Sequence, residues 1–368
     1  FDLETNGFQL LPNMLAGAFR KSWLGENKIA YSFLTRYRFD AEVRGARTDR
    51  TDVIERWPGD ESFGGGLTVM SRSNELWAGL TWARGAGDWI GWGVTTYLSI
   101  RQLESENRLF AEALSDSGEM AVYYDVRSYE ARTYSVLWKM GLGFNFYPLT
   151  AGLTLTTPNV EVTGSGAAVG NLTHVGVDLD GDGSVQDGFE ATVQEDVDAN
   201  YNSPLSIGAG AGYYIGKLVL VASAEWFDAV ASYDVLDLAP FVSQETGEEV
   251  TPQLTHKAKS VLNYAGGVEY RGEKYGGYLS FNTDFSSFDP ESDIAATGFD
   301  LYNVSGGGTV AFKKTNFMLG LGYMWGSQQV EQVIDLNPDE GSNVVDPADI
   351  VDLEYKRLTF MVGFSVNL

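Results

Sequence analysis

Residues 357–368 read RLTFMVGFSVNL, and their two-residue rhythm decides the fold. Leu358, Phe360, Val362, Phe364, Val366 and Leu368 alternate with Thr359, Met361, Gly363, Ser365 and Asn367. Successive side chains of a strand point to opposite faces, so one face of this segment is oily and the other small or polar. The rhythm returns in 316–326, where Phe317, Leu319, Leu321, Tyr323 and Trp325 oppose Met318, Gly320, Gly322, Met324 and Gly326. It returns again in 204–213, with Leu205, Ile207, Ala209, Ala211 and Tyr213 on one face and Ser206, Gly208, Gly210 and Gly212 on the other. Residues 89–100 set Ile90, Trp92, Val94, Thr96, Leu98 and Ile100 against Gly91, Gly93, Thr95, Tyr97 and Ser99.

A soluble sandwich alternates too, but its polar face meets water and is usually rich in Lys, Glu and Thr. Here the second face is mostly Gly, Ser, Thr and Ala, which suits a crowded or water-lined lumen. Trp and Tyr stand near the ends of the apolar faces, as a girdle at a lipid interface requires. The reading is therefore an all-β, transmembrane antiparallel β-barrel of the bacterial outer membrane, porin-like in plan, with hydrocarbon outside and polar groups inside.

Composition agrees. The 368 residues suit one barrel domain over 1–368 as well as two soluble domains. No run approaches the roughly 18 apolar residues that a membrane-crossing helix needs. The mean hydropathy of -0.14 is what a barrel gives, because its two faces cancel. Cysteine is absent, which removes disulfides, thiolate metal sites and thiol nucleophiles. The net charge of -25 argues against a nucleic-acid partner, since phosphate binding needs a basic footprint. The chain starts at Phe1 without a signal peptide, which reads as a mature or trimmed N-terminus.

Connections sort into two kinds. Short turns rich in Gly, Asn, Pro and charge fall at 24–28, 84–88, 145–148, 214–217, 271–274 and 313–316. Long segments fall at about 47–72, 105–130, 165–200, 233–256, 286–299 and 331–354. Short periplasmic turns and long extracellular loops are the outer-membrane pattern. The long segments 165–200 and 331–354 each hold eight acidic residues and no Lys or Arg, so the acidity belongs to the external loops. Its plain use is solubility and contact with divalent cations and lipopolysaccharide. Between the connections lie fourteen expected strands: 1–11, 14–23, 28–46, 73–84, 88–104, 128–144, 149–164, 200–213, 217–234, 257–270, 275–287, 299–312, 316–331 and 354–368. Fourteen is an even number, as closure of a bacterial barrel expects.

The order of segments resembles the FadL family, outer-membrane transporters of long-chain fatty acids and other hydrophobic compounds. The resemblance runs from about Asn13 to Leu368 and is carried by diffuse hairpin patterns. These are NELWAGLTWARGAGDWIGWGVTTYLSI (74–100), YSVLWKMGLGFNFYPLTAGLTLTTPNVEVTGSG (134–166) and NYNSPLSIGAGAGYYIGKLVLVASAEWFDAVASYDVL (200–236). It implies fourteen strands, an N-terminal hatch in the lumen, capture of a hydrophobic ligand outside, and sideways exit through the wall. The chain departs from the family in lacking its Asn-Pro-Ala element and any segment before Phe1 to form the hatch. The hatch is thus expected to be absent or to lie outside this sequence. The chain also ends in Leu368, where the family more often has an aromatic.

Three candidate sites follow. Residues 105–118 read as a short amphipathic helix with Leu109, Phe110, Ala113 and Leu114 on one face. It forms either an external ligand groove, as the family's helical loop implies, or a cover on the barrel mouth. Asp178, Asp180 and Asp182 before Gly183 match the first half of a calcium loop, with Ser184 offering its carbonyl and Glu190 or Asp187 replacing the usual distal Glu. Calcium there would stabilise an external loop; an ordinary acidic turn is the alternative. Arg36, Arg38, Arg101, Lys139, Glu225, Glu269 and Asp284 are expected to face the lumen, because facing lipid costs charged groups several kcal/mol near mid-membrane. They brace the wall as ion pairs, or Arg36, Arg38 and Arg101 receive a carboxylate headgroup. An enzyme is not expected: His174 and His256 both lie in expected loops with no Ser-His motif beside them. The expected function is transport of hydrophobic small molecules. The alternative is a non-transporting barrel whose loops dock a protein partner in a secretion or surface-attachment complex.

Overall fold

A computed structural model describes residues 14–19, 25–54, 56–177, 184–289, 292, 298–331 and 350–366. The chain enters through β1 (Met14–Phe19), β2 (Asn27–Thr51), β3 (Glu61–Ala86), β4 (Ile90–Leu114) and β5 (Met120–Phe146). It continues with β6 (Leu149–Thr156), β7 (Val160–Val177), β8 (Gln186–Val197), β9 (Ser206–Ile215) and β10 (Leu218–Phe227). Two small ladders follow, from β11 (Val230–Asp234), β12 (Phe241–Val242), β13 (Glu249–Val250) and β14 (Thr255–Ala258). The last strands are β15 (Val261–Arg271), β16 (Tyr275–Asp284), β17 (Leu301–Phe312), β18 (Thr315–Glu331) and β19 (Ile350–Val366).

One antiparallel sheet of fifteen strands forms the wall, in the order β1-β2-β3-β4-β5-β6-β9-β10-β15-β16-β17-β18-β19, with β7 joined to β5 and β8 to β7. The sheet curls on itself: Phe39 of β2 stacks on Tyr355 of β19, ring centroids 6.2 Å apart, across the inside. Among the described residues no ladder joins β1 to β19. Thirteen of the expected strands have their counterparts here; the expected strand at 1–11 lies outside the described residues. All six expected short turns are hairpin links at one end of the barrel.

The outer face explains the alternation. On β3 the outward residues Leu76, Ala78, Leu80 and Trp82 lie between Asn74 and Arg84. Ten residues at about 3.3 Å each, tilted about 40°, give an apolar band about 25 Å tall, the hydrocarbon height of a barrel. Aromatic rings edge it. Trp82 and Trp92 meet edge-on at 4.8 Å near the short turns, and Tyr302, Trp325 and Tyr323 stack at 6.0 and 5.6 Å toward the other end.

Three expectations are corrected. First, much of the long segments at 47–72, 105–130 and 165–200 is strand, not loop: β2 to β5 run for 25 to 27 residues, and β7 with β8 extends the wall above β5. Second, residues 105–114 form no helix. They continue β4, because β3 and β5 offer backbone partners on both sides, from Ser105↔Ser71 to Leu114↔Met120. Each ladder bonds alternate residues, so the two together satisfy the backbone groups along the whole segment, which local helical spacing cannot outweigh. Third, 233–256 does not stand wholly outside. Its two ends fold into the lumen, where Val235, Leu236 and Leu254 are buried with Ala131 of β5 and Ala199, while 244–251 between them is exposed.

Candidate functional site

The inner face of β5, read from the loop end downward, passes Ala121, Ala131, Thr133, Ser135, Leu137 and Lys139. Each residue marks a layer of the lumen. Ala121 lies under a cap formed by Ile54 and Trp57 of the β2–β3 connection. Ala131 carries the inward-folded loops. Thr133 borders a cavity of about 390 Å³. Leu137 packs with Trp77 and Tyr97 below it. Lys139 reaches Glu225 of β10 over the inner face of β6 and β9, Nζ to Oε1 3.9 Å. Below that bridge the wall is small and polar, with contacts such as Thr81–Thr95 and Ser280–Ser305, both 2.8 Å.

The cavity is built around buried charge and aromatic rings. Glu75 is only 4% exposed; its Oε1 accepts from Trp77 Nε1 at 2.6 Å and Ser99 Oγ at 2.9 Å. Its Oε2 lies 3.6 Å from Arg101, whose guanidinium sits 4.0 Å over the Tyr201 ring. Arg36 lies between Trp77 and Phe227, 5.6 and 5.8 Å from their centroids. Rings hold the two cations by their π-faces, so the cavity presents both charge and flat apolar surface.

Arg36 and Arg101 thus meet in the lumen as expected, whereas Arg38 only borders the cavity, its side chain turned to the outer face. A bulge sets Thr35 opposite Leu76 and Tyr37 opposite Glu75, leaving Arg36 as the extra residue. One extra residue reverses the faces beyond it. Tyr37 and Phe39 point inward and Arg38 outward. Leu109, Phe110 and Leu114 are not brought together either: on one strand Leu109 faces the lumen, while Phe110 and Leu114 face out. Asp178, Asp180 and Asp182 lie outside the described residues. Ser184 precedes β8, and Glu190 in β8 accepts from Ser243 Oγ at 2.6 Å. Among the described residues no cluster of three or more His, Cys, Asp or Glu is placed to hold a metal ion.

Both histidines leave their expected loops. His174 is fully buried in β7, with Nε2 3.3 Å from Glu245. His256 of β14 borders the cavity, edge-on to Tyr233 at 5.7 Å and 3.1 Å from Ser292 Oγ, which itself donates to the Thr255 carbonyl. Burial, and then the Arg101 cation, push its imidazole from an ordinary 6.5 down to about 4. A histidine held neutral this way stabilises the inward fold above pH 6.5, and that contribution is lost as pH falls through about 4. Proteolysis of 251–260 in reconstituted protein is therefore expected to accelerate as pH falls from about 6.5 to about 4. His256→Gln is expected to flatten that profile.

The wall itself is interrupted beside the cavity. The β6–β9 ladder ends at Thr156↔Ser206, and the β7–β8 ladder begins only at Gly166↔Val197. Between them the chain at 198–205 leaves the wall and crosses the inside. A Cβ on Gly164 would stand 1.9 Å from the Ala199 carbonyl oxygen, so only glycine admits this strap. Side chains close the seam in place of a ladder. Asn159 accepts from the Ser203 amide at 2.7 Å and donates to the Tyr201 carbonyl at 2.7 Å. The Asn159 amide donates to Ser203 Oγ at 2.9 Å, and Glu161 accepts from the Tyr201 amide at 2.8 Å. The outward residues beside the seam, Val160 and Val162, are apolar and 56% and 65% exposed, so the seam lies within the oily band. Sequence reasoning named none of Glu75, Asn159, Glu161 or Tyr201. The signals were there: Pro158 inside a strand pattern and a Glu between two valines.

No protein-family model and no curated protein sequence matches the chain. Among solved structures, two of the Pseudomonas putida toluene transporter TodX align over 96% of this chain and 82% of theirs. Their identities are 13% and 12%, and their TM-scores 0.54 and 0.50. A Pseudomonas aeruginosa FadL homologue aligns at 10% identity over 92% of this chain and 76% of its own, with a TM-score of 0.47. The chain has the fold of the TodX barrel, which is the fold that the resemblance to the FadL family implied.

Proposed function

We propose that the chain is an outer-membrane channel for small hydrophobic molecules. They enter from the loop end, pass the cavity beside Arg36 and Arg101, and leave sideways between Val160, Val162 and the strap. The observation that carries this reading is the seam: a ladder interrupted inside the apolar band, next to a cavity walled by rings. A solute that partitions into hydrocarbon gains nothing from the small polar lumen below Lys139 and Glu225. Transfer through the wall keeps it out of water, at about 25 cal/mol per Å² of apolar surface. The neighbouring toluene transporter supports the class of solute, and hydrocarbon molecules of that size suit the cavity volume.

The absence of cysteine makes the test clean. Val162→Cys places a single thiol on the lipid side of the seam. Labelled with a bulky maleimide, it is expected to reduce uptake of a monoaromatic hydrocarbon into vesicles to that of protein-free membranes. The same label on Leu279→Cys, outward on β16 away from the seam, is expected to leave uptake unchanged. Equal uptake by both labelled proteins would remove the sideways route.

The docking alternative draws on one observation. Beyond Asn74 β3 continues to Glu61, and thirteen residues at the same tilt raise the wall about 33 Å above the apolar band. A stable stoichiometric partner after mild-detergent extraction favours that role. Calcium binding at 178–190 is likewise a proposal; calorimetry of EDTA-treated protein with no calcium heat rejects it.

A further inference from the structure

On five neighbouring strands, one row of outward groups just above the oily stretch consists of hydrogen-bond donors. They are Arg38 on β2, Asn74 on β3, Gln102 on β4, Arg132 on β5 and Ser165 on β7. The ladders set them in one row: Arg38↔Asn74, Asn74↔Gln102, Gln102↔Arg132 and Arg132↔Ser165. Five strands at about 4.8 Å spacing make the row about 19 Å long. It contains no carboxylate.

The rows on either side differ in kind. Below it Leu76, Ile100 and Tyr134 belong to the apolar band, with Thr35 and Thr163 at the two ends of that row. Above it stand Asp40, Arg72, Glu104 and Glu130, and Arg72 is held by acids on both neighbouring strands, Asp40 at 3.2 Å and Glu104 at 3.6 Å. The two arginines of the donor row have no such partners. Among the described residues no ion pair reaches Arg38 or Arg132, and Arg132 meets the Gln102 amide oxygen at 2.9 Å once that amide is oriented to accept. The outer surface is concave here: a groove of about 610 Å³ is lined by this row and its neighbours, with Glu195 and Asp196 on the far bank.

We infer that this row is a binding site for the phosphorylated headgroup of a glycolipid of the surrounding outer leaflet. Oily residues below take acyl chains. Guanidinium groups with no acidic partner among the described residues, and amide N–H groups at the same level, take phosphate oxygens by charge-assisted bonds, with a planar donor fork that an ammonium or hydroxyl cannot reproduce. The acidic row above suits the sugar and cation layer. A protein partner fits less well, because the donors begin directly where the hydrocarbon band stops. The occupant is therefore a lipid already in the membrane. The inference rests on the membrane placement proposed above, and not on transport.

The test uses the full chain in nanodiscs containing a bisphosphorylated lipid A-type glycolipid or its dephosphorylated form, with bound lipid counted by native mass spectrometry. Wild type is expected to retain the phosphorylated lipid about tenfold better than the dephosphorylated one. Arg38→Gln with Arg132→Gln is expected to abolish that preference. Arg44→Gln with Arg50→Gln, higher on β2 and already paired with Glu42 and Asp116, is expected to keep it. Equal retention of the two lipids by wild type overturns the site, and needs no variant to fold. An unchanged preference in the double variant also overturns it, as does displacement of the lipid by inorganic phosphate alone at millimolar concentration. Hydrocarbon uptake by the double variant is expected to match wild type, so failure of the site and failure of the channel reading are separate results.

Discussion

Replacing Glu75 by leucine is expected to destabilise the barrel by about 3–5 kcal/mol, the cost of removing one partner from a buried charge pair. The carboxylate is almost wholly enclosed and serves three neighbours at once: the Trp77 indole, the Ser99 hydroxyl and the Arg101 guanidinium. Leucine leaves Arg101 as an uncompensated cation against Tyr201, and leaves two donors without their acceptor. Glu75→Gln keeps an acceptor for Trp77 and Ser99 and is expected to fall between the two. Glu75→Leu with Arg101→Met removes both charges and is expected to recover most of the loss, since contacting residues are not additive. Urea unfolding in lipid vesicles, followed by tryptophan emission, measures all three. A loss below about 1 kcal/mol for Glu75→Leu would place the pair in the range of solvent-exposed salt bridges and contradict the enclosed geometry.

Gly164→Val is expected to have the largest effect on permeability. The added Cβ meets the Ala199 carbonyl oxygen at 1.9 Å and its carbon at 2.8 Å, and both belong to backbone. No rotamer relieves that overlap, so the strap at 198–205 must leave the wall of β7. Overpacking of this kind costs about 1–3 kcal/mol, and 1–2 kcal/mol already changes a two-state ratio about 5- to 30-fold. Tyr201 leaves with the strap, so the stack on Arg101 and the seam held by Asn159 and Glu161 fail together. Swelling of proteoliposomes in a small sugar is expected to rise well above wild type, with heat-modifiable mobility on gels retained as evidence of an intact barrel. Gly166→Ala is expected to act in the same direction, because its Cβ meets Glu130 O at 2.4 Å and Leu236 Cδ2 at 2.5 Å. An intact Gly164→Val barrel with wild-type swelling would show that the strap does not obstruct the lumen.

Much of this architecture was legible in the residues. Alternation at 316–326 and 357–368 placed β18 and β19, and the six short turns fell where Gly, Asn, Pro and charge cluster. These features are local: side-chain period and turn chemistry act over a few residues and need no knowledge of distant neighbours. Legibility failed wherever a distant partner decided the outcome. Residues 105–114 have helical spacing, yet two flanking strands made them a third. Arg38 carries the same parity as Arg36, yet one bulge against Glu75 turned it from the lumen to the outside.

The sequence by itself therefore determined a barrel with an oily outside, a small polar inside and one end of tight turns, because every strand carries that instruction in its own alternation. Tertiary structure alone decided where the wall is interrupted, which loop folds inward, and which arginines face the outside or the lumen. Those outcomes depend on register between strands and on the inward course of 198–205, and a shift of one residue exchanges the two faces.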